Sequence, residues 1–520
     1  MNKKKIRRIV LISIVVFLIL IEIAFRNGAF DGLVNQYNEN KAQIAEQQVE
    51  NSSSNTPSAT QTQLNTTITP SSTVTDQSTV PTAKATPSGT VKNEYATNEK
   101  VAIIQSDKPQ ASDITETEID DMVTRAIALS GGLDGIVKDG QTVVIKPNLV
   151  QMRVDSTGEL FDKQDNGITT DWRVTAAVVR NVRLLNPHGK VYVMEGSATG
   201  RTLDVMEYLN YTHKMIKGVD EFIGIEEDTG GWQDFSSTNL VKVSLPDGLL
   251  HKSYYFNKKL YEADILISVP CLKSNSGAIV TAGIKNVSIG ATPANIYGVS
   301  STNHGRTKMV SHKIVDGDLD KWIYDYYICK PIDFVVVDGL EGFQNGPVPM
   351  GKGRDKSDKM NMRLVVAGKC APSVDTICAL IAGWDYRSIG YLSFFNQFKV
   401  GTTDTSKITV LGSPVDKVRK SFDVKLRNLG GVKVKDFSPP KFTFSITDKY
   451  NISVNAEKKV NKIEIYIDNI MQQTVSKEEN NSFSNMHIDT LSLTKGNHIL
   501  KLIAYDRFLN SSEEQQDITD

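Results

Sequence analysis

Lysines and carboxylates at the ends of apolar runs are the residues of this chain best suited to chemistry. TVVIKPN ends in Lys146, Pro147 and Asn148, and ILISVPCLK reaches Lys273. GIKNVSIG then carries Lys285 and Asn286 within a largely uncharged segment. KVYVMEG ends in Glu195 and Gly196, FVVVDG in Asp338 and Gly339, and LVVAG in Gly368. Ammonium groups hold anions, and carboxylates beside them act as acid–base groups or metal ligands. Gathered in one place, they would neutralise charge developing on a phosphoryl or carboxyl group. Each residue also has a plain structural reading. Lys146 can snorkel from a strand end, Asp338 before glycine can serve a turn, Glu195 can cap a following helix, and Asp171 complements a helix dipole. The case for a site rests on their convergence.

That convergence depends on the elements that carry them. VAIIQS, TVVIKPN, KVYVMEGS, ADILISVP, DFVVVDG and MRLVVAG are rich in Val and Ile and closed by Gly, Pro or Asn, which predicts strands. TEIDDMVTRAIALSGG and TTDWRVTAAVVRNVRLL lie between them as helices, the second with Val174, Val178, Val182 and Leu185 on one face. Strands apolar on both faces and alternating with helices predict an α/β fold, a mainly parallel sheet with flanking helices. In open parallel sheets, ligands bind beyond the carboxyl ends of the strands, where all these residues would lie. Two long connections border that rim, Leu149 to Asp171 and Leu340 to Asn361. Small residues from Ser274 to Gly283 would allow close backbone approach to a ligand.

NHGRTKMVSHKIVDGDLD adds His304 and His312 at a spacing that matches no recognised metal motif. Should they converge with Asp338 and Asp375, they would offer nitrogen and oxygen ligands to a divalent ion, the cofactor these residue types would suit. Four cysteines, Cys271, Cys329, Cys370 and Cys378, show no CxxC pairing, so no iron–sulfur cluster is expected. Buried thiols and disulfides both remain open.

With 59 Lys plus Arg against 60 Asp plus Glu, no global field recruits nucleic acid. Lys3, Lys4, Lys5, Arg7 and Arg8 precede an apolar run from Ile9 to Ile21. Residues 1–27 therefore read as a single-pass membrane anchor, with a cleaved secretory signal as the rival reading, and the bulk of the chain as extracytoplasmic. Residues 28–97 read as a flexible Ser/Thr/Pro-rich stalk. Residues 98–416 form the α/β domain, 417–438 a linker, and 439–520 a small β-sandwich of short strands including YNISVNA, KIEIYIDN and HILKLIAYD. The polar tail NSSEEQQDITD is expected to be a short or frayed last strand.

VVIKPNLV, the TTD before a helix, YVMEGS, ADILISVPCLKSNSGAIVTAGIKNVSIG, HKI with DGDL, VVVDGLEGFQNGPVPMGK and VVAGKCAPSVDTICALIAGWD resemble, in this order, the motifs of the DUF362 family over about residues 99 to 415. The resemblance implies an α/β domain and supplies no reaction. Some relatives carry ferredoxin-like cysteine motifs that are missing here. The family often has Lys-x-His where this chain has Lys273-Ser274-Asn275, and asparagine cannot shuttle protons near neutral pH. IEIYIDN followed by GNHILKLIAYDRFLN resembles bacterial immunoglobulin-like modules.

Three functions follow as expectations. The first is a surface enzyme for a small anionic or phosphorylated substrate, with Lys146, Asn148, Lys273, Lys285 and Asn286 binding and Asp171, Glu195 and Asp338 acting as acid–base groups or, with His304, His312 and Asp375, as metal ligands. The second is a non-catalytic protein binding a small anion or a cell-envelope polymer. The third is a degenerate enzyme, to which Asn275 would point. The distances among the lysines and carboxylates discriminate a single site from scattered residues.

Overall fold

The computed structural model describes residues 99–519 apart from 155–158, 199, 231–237, 298–317, 347–357, 425–429, 449–450 and 489–494. The expected anchor and stalk, and His304 and His312, lie outside the described residues. Among the described residues, no helix is long and apolar enough to cross a membrane.

The apolar runs form a ten-stranded mixed sheet. Its strands are β1 (Glu99–Gln105), β2 (Thr142–Pro147), β3 (Lys190–Glu195), β4 (Glu221–Gly224), β5 (Ile265–Val269), β6 (Cys271–Asn275), β7 (Ile279–Thr281), β8 (Phe334–Phe343), β9 (Leu364–Gly368) and β10 (Ile408–Gly412). The main path runs β10-β1-β9-β8-β5-β2-β3-β4. β4, β3, β2, β5 and β8 are successively parallel, as are β1 and β10. β9 runs antiparallel to both neighbours, which corrects one expectation. Leu364 pairs with Gly339 and Gly368 with Val335, so Gly368 lies at the opposite edge from Asp338. A parallel return needs a crossover, and no helical pattern separates FVVVDG from LVVAG.

Period-two alternation sends the strand side chains into two cores. Val143 and Ile145 face one layer, with Val174, Val178 and Val182 of α2 (Trp172–Leu185) and Ile119, Val123 and Ala126 of α1 (Glu116–Leu129). Val144 and Leu266 face the other layer, with α3 (Gly283–Gly290), α4 (Asp318–Cys329), α5 (Ala371–Ile381) and α6 (Gly390–Phe398). Thr115 and Glu118 close a capping box at α1, and Asp171 caps α2 by accepting the Arg173 N–H at 3.0 Å. All four cysteines are free.

The C-terminal part is a five-stranded antiparallel sheet of β11 (Phe442–Asp448), β12 (Asn451–Ile467), β13 (Ile470–His487), β14 (Asn497–Tyr505) and β15 (Ser511–Thr519). YNISVNA and KIEIYIDN run on as a single bulged strand of 17 residues rather than two short ones. The polar tail is a full edge strand, paired with β14 from Asn497↔Thr519 to Tyr505↔Ser511. A backbone ladder supplies that pairing, and an edge strand facing water needs no apolar side chains. This sheet docks on the α/β part through polar bonds. Lys462 Nζ donates to the Ile408 carbonyl at 3.1 Å, Ser476 Oγ to the Ser406 carbonyl at 2.7 Å, and Arg419 Nη1 to Asn510 Oδ1 at 2.5 Å.

Candidate functional site

Lys146 is the fifth residue of β2. Alternation from Val144 turns its side chain toward the α3 layer, where it is fully buried. Burial of an ammonium demands acceptors. Lys146 Nζ donates to the Pro147 carbonyl at 2.8 Å, to Asn286 Oδ1 at 2.9 Å and to Glu195 Oε2. Glu195, at the end of the adjacent parallel strand β3, also accepts the Leu149 N–H at 3.1 Å.

Asn286, one turn into α3, ties this ion pair to the sheet. Its Nδ2 donates to the Lys146 carbonyl at 3.0 Å and to Ser268 Oγ at 3.1 Å, and Ser268 Oγ donates to the Gly283 carbonyl at 2.9 Å. Asn148 extends the chain of bonds. Its Nδ2 donates to Asn286 Oδ1 at 3.1 Å, while its Oδ1 accepts Lys273 Nζ at 2.6 Å. Lys273 also donates to the Ile168 carbonyl. It stands on β6, whose pairings Cys271↔Asp338 and Lys273↔Phe343 anchor it beside β8. Pro270 separates β5 from β6, so the run that reads as one strand in sequence is two.

Lys285 completes the group from α3 and differs from the other two. It is 6% exposed, against 0% for Lys146 and 2% for Lys273. Among the described residues it has no hydrogen-bond or ion-pair partner. Burial lowers its amine to about 7, and the charges of Lys273 and Lys146 press in the same direction. Burial also lowers Lys273, to about 8, with Cys271 and Glu195 opposing.

The carboxylates gather at the start of α2. Asp338 Oδ2 accepts the Asp171 N–H at 2.7 Å, and Oδ1 the Leu340 N–H at 3.0 Å. Burial, then the nearby Asp171 charge, raises Asp338 to about 7 despite those bonds. Asp171 is bound by Arg173, with Nε at 2.9 Å and Nη2 at 2.7 Å, and Arg173 reaches Asp165 at 3.0 Å. Burial raises Asp165 to about 6. Thr170 joins the two groups, accepting the Asn148 N–H at 2.9 Å and donating to the Val269 carbonyl at 2.7 Å.

The structure thus brings together Lys146, Asn148, Glu195, Lys273, Lys285 and Asn286, with Asp171 and Asp338 alongside. Asp375 is elsewhere. It lies against the start of α3, where Oδ2 accepts the Ile284 N–H at 3.2 Å and the Tyr391 hydroxyl at 3.0 Å; burial raises it to about 7. Among the described residues, no group of three or more His, Cys, Asp or Glu side chains is placed to hold a metal ion. Ser268, Asp165 and Arg173 are absent from the sequence reading, and Thr170 enters it only within the TTD before α2. Ser268 had a signal, as a polar residue inside the apolar run ILISV.

The backbone around the cluster is strained. Val150 (φ 52°) and Ile279 (φ 66°) are the β-branched residues with left-handed φ among the described residues. One follows Asn148 and Leu149, and the other pairs with Asn275 in the hairpin that carries Lys273. Such outliers persist only where surrounding contacts enforce them, and they concentrate at functional sites. Close packing is equally evident at Gly290, where a Cβ would come within 2.5 Å of Lys146 Nζ.

A curated relative, a thylakoid-associated protein of Synechocystis sp., is 29% identical over 168 residues, covering 32% of this chain and 44% of the relative. The match therefore spans less than half of that relative's length. Among solved structures, the lactate racemase apoprotein of Thermoanaerobacterium thermosaccharolyticum is similar at TM-score 0.33 and 14% identity, over 55% of this chain and 58% of that one. The PKD1 domain of a Vibrio cholerae metalloprotease is similar at TM-score 0.11 and 15% identity, over 16% of this chain and 95% of that one. Residues 143–380 match the family described as a domain of unknown function, DUF362, and that stretch contains every lysine and carboxylate of the cluster.

Proposed function

We propose that this protein binds a small anionic ligand, a carboxylate or phosphate ester, at the lysine cluster, and that the site belongs to an enzyme. The observation that carries this reading is Lys285, a buried lysine beside two others and without an acceptor among the described residues. An anion would supply the missing partner and offset the mutual repulsion of the three amines. Asp338, balanced near neutrality by burial, suits proton exchange with the bound molecule. The proposal includes the membrane anchor and extracytoplasmic placement, supported by the basic and apolar pattern of residues 1–27.

The test is thermal unfolding of the purified chain with acetate, phosphate and pyrophosphate, alongside Lys285→Met. The substitution keeps volume and removes a buried amine, so the variant should fold at least as stably as the parent. At about a hundredfold excess over Kd, binding stabilises by about 2.7 kcal/mol. Lys285→Met should lose that response, and salt should weaken it in the parent. An unchanged anion response in Lys285→Met, or none in the parent, overturns the reading.

A further inference from the structure

The three lysines are not equivalent, and the difference is chemical. Lys146 uses its protons on the Pro147 carbonyl, Glu195 and Asn286, and Lys273 spends two on Asn148 and the Ile168 carbonyl. Both are held as hydrogen-bonded cations. Lys285 donates to no acceptor among the described residues and keeps the largest exposure of the three, 6%. Its backbone is fixed all the same. The next residue, Asn286, is bonded to Lys146 and Ser268, and a Cβ on Gly283 would lie 2.8 Å from Val335, so α3 sits hard against β8.

We propose that Lys285 is an amine nucleophile that condenses with the carbonyl of a small oxo acid, whose carboxylate is held in the field of Lys146 and Lys273. This rests on the anion-site reading and names its substrate class. A neutral lysine carries a lone pair, and desolvation next to other cations is a general way to keep lysine neutral at physiological pH. The fall of Lys285 to about 7, from burial first and its two lysine neighbours second, leaves about half of it unprotonated there. The lone pair attacks the carbonyl carbon and the carbon–oxygen π bond breaks. The oxygen takes up the proton that nitrogen releases, giving a carbinolamine. Loss of one water then leaves an imine, with no other reactant needed. The cationic field selects a carboxylate on the same molecule.

The test uses the whole chain with glyoxylate or pyruvate and cyanoborohydride, which reduces an imine to a stable secondary amine. Peptide mapping by mass spectrometry locates the adduct. The expected result is preferential labelling of Lys285, at least tenfold over any surface lysine and half-maximal near pH 7, competed by acetate. Lys285→Arg should abolish it. Acetate binding without preferential labelling of Lys285 overturns the nucleophile and leaves the anion site standing. Absence of both labelling and acetate binding overturns the two together. Mapping of the parent protein decides the matter even if the variant does not fold.

Discussion

Replacing Glu195 by Gln probes whether the lysine cluster is an electrostatic unit. Glu195 and Lys146 are 1% and 0% exposed, and the carboxylate also accepts the Leu149 N–H at 3.1 Å. Gln keeps the volume and one acceptor oxygen. It removes the charge opposite Lys146 and turns an amide N–H₂ toward an ammonium or a backbone N–H. Breaking a buried pair from one side costs about 3–5 kcal/mol, because the other charge is left uncompensated. Lys273 and Lys285, within range of Lys146, add to that imbalance. At about 2 °C per kcal/mol for a domain of this size, the melting temperature should fall by roughly 6–10 °C. Urea unfolding of Glu195→Gln, Lys146→Met and the double variant forms a cycle. Removing both charges should cost clearly less than the sum of the single changes. Arg125→Ala, at an exposed helical ion pair with Asp121, serves as control and should cost about 0.5 kcal/mol or less. If Glu195→Gln behaves like that control, Lys146 is not held as a cation and the field argument fails.

Two further outcomes follow from the same residues. Asp338 and Asp375, near 7 in the folded protein against 3.8 as free groups, keep their protons on folding, so their contribution is present below about pH 4 and lost as pH rises toward 7. Lys285 acts at higher pH: held near 7 against 10.5, it makes stability rise between those values. Urea midpoints across pH 4 to 10 should therefore decline and then recover. Asp338→Asn should make the acid limb shallower, leaving the share of Asp375, and Lys285→Met the alkaline one, leaving the share of Lys273, and a variant curve parallel to the parent's would refute the assignment. Asn286→Ala strips partners from Lys146, Asn148 and Ser268 at once, and should cost about 2–4 kcal/mol in urea unfolding while abolishing the anion response.

The cluster was legible because three facts of sequence coincide. Lys146, Glu195 and Asp338 each end an apolar run, the runs alternate with helices, and parallel strands put those ends on one rim. Lys273 needed more than strand ends, since Pro270 breaks the run and a bulge between Cys271 and Lys273 re-aims the second strand beside β8. Lys285 stands out in sequence only as a charge within a largely uncharged segment. The sequence GIKNVSIG has no helix cap and little polarity, so nothing local identified α3 or showed that Asn286 would reach back to β2. The misplacement of Gly368 has a single cause in strand direction, which hydrophobic alternation does not encode. Because β9 runs backward, α5 starts from the far edge of the sheet and Asp375 meets the start of α3 instead of the lysines.

Asn275 now has a different meaning from the one its departure from the family's Lys-x-His pattern suggests. Its side chain is buried, and Oδ1 accepts the N–H groups of Gly277 at 2.9 Å and Ala278 at 3.0 Å. That is the local turn chemistry in which asparagine excels. The turn reverses β6 into β7, with Lys273 opposite Thr281 and Asn275 opposite Ile279, whose left-handed φ it must support. Gly431 packs over Ile279, where a Cβ would come within 2.7 Å of its side chain, so the strained residue is clamped from outside. Asn275 therefore serves the geometry that delivers Lys273, and its carbonyl oxygen is already engaged with backbone. A histidine here would have to give up those two bonds, and the hairpin with them, before it could act on a bound molecule. On the proposed function, proton transfer is assigned to Asp338 and Lys285, which burial brings near neutrality, rather than to position 275.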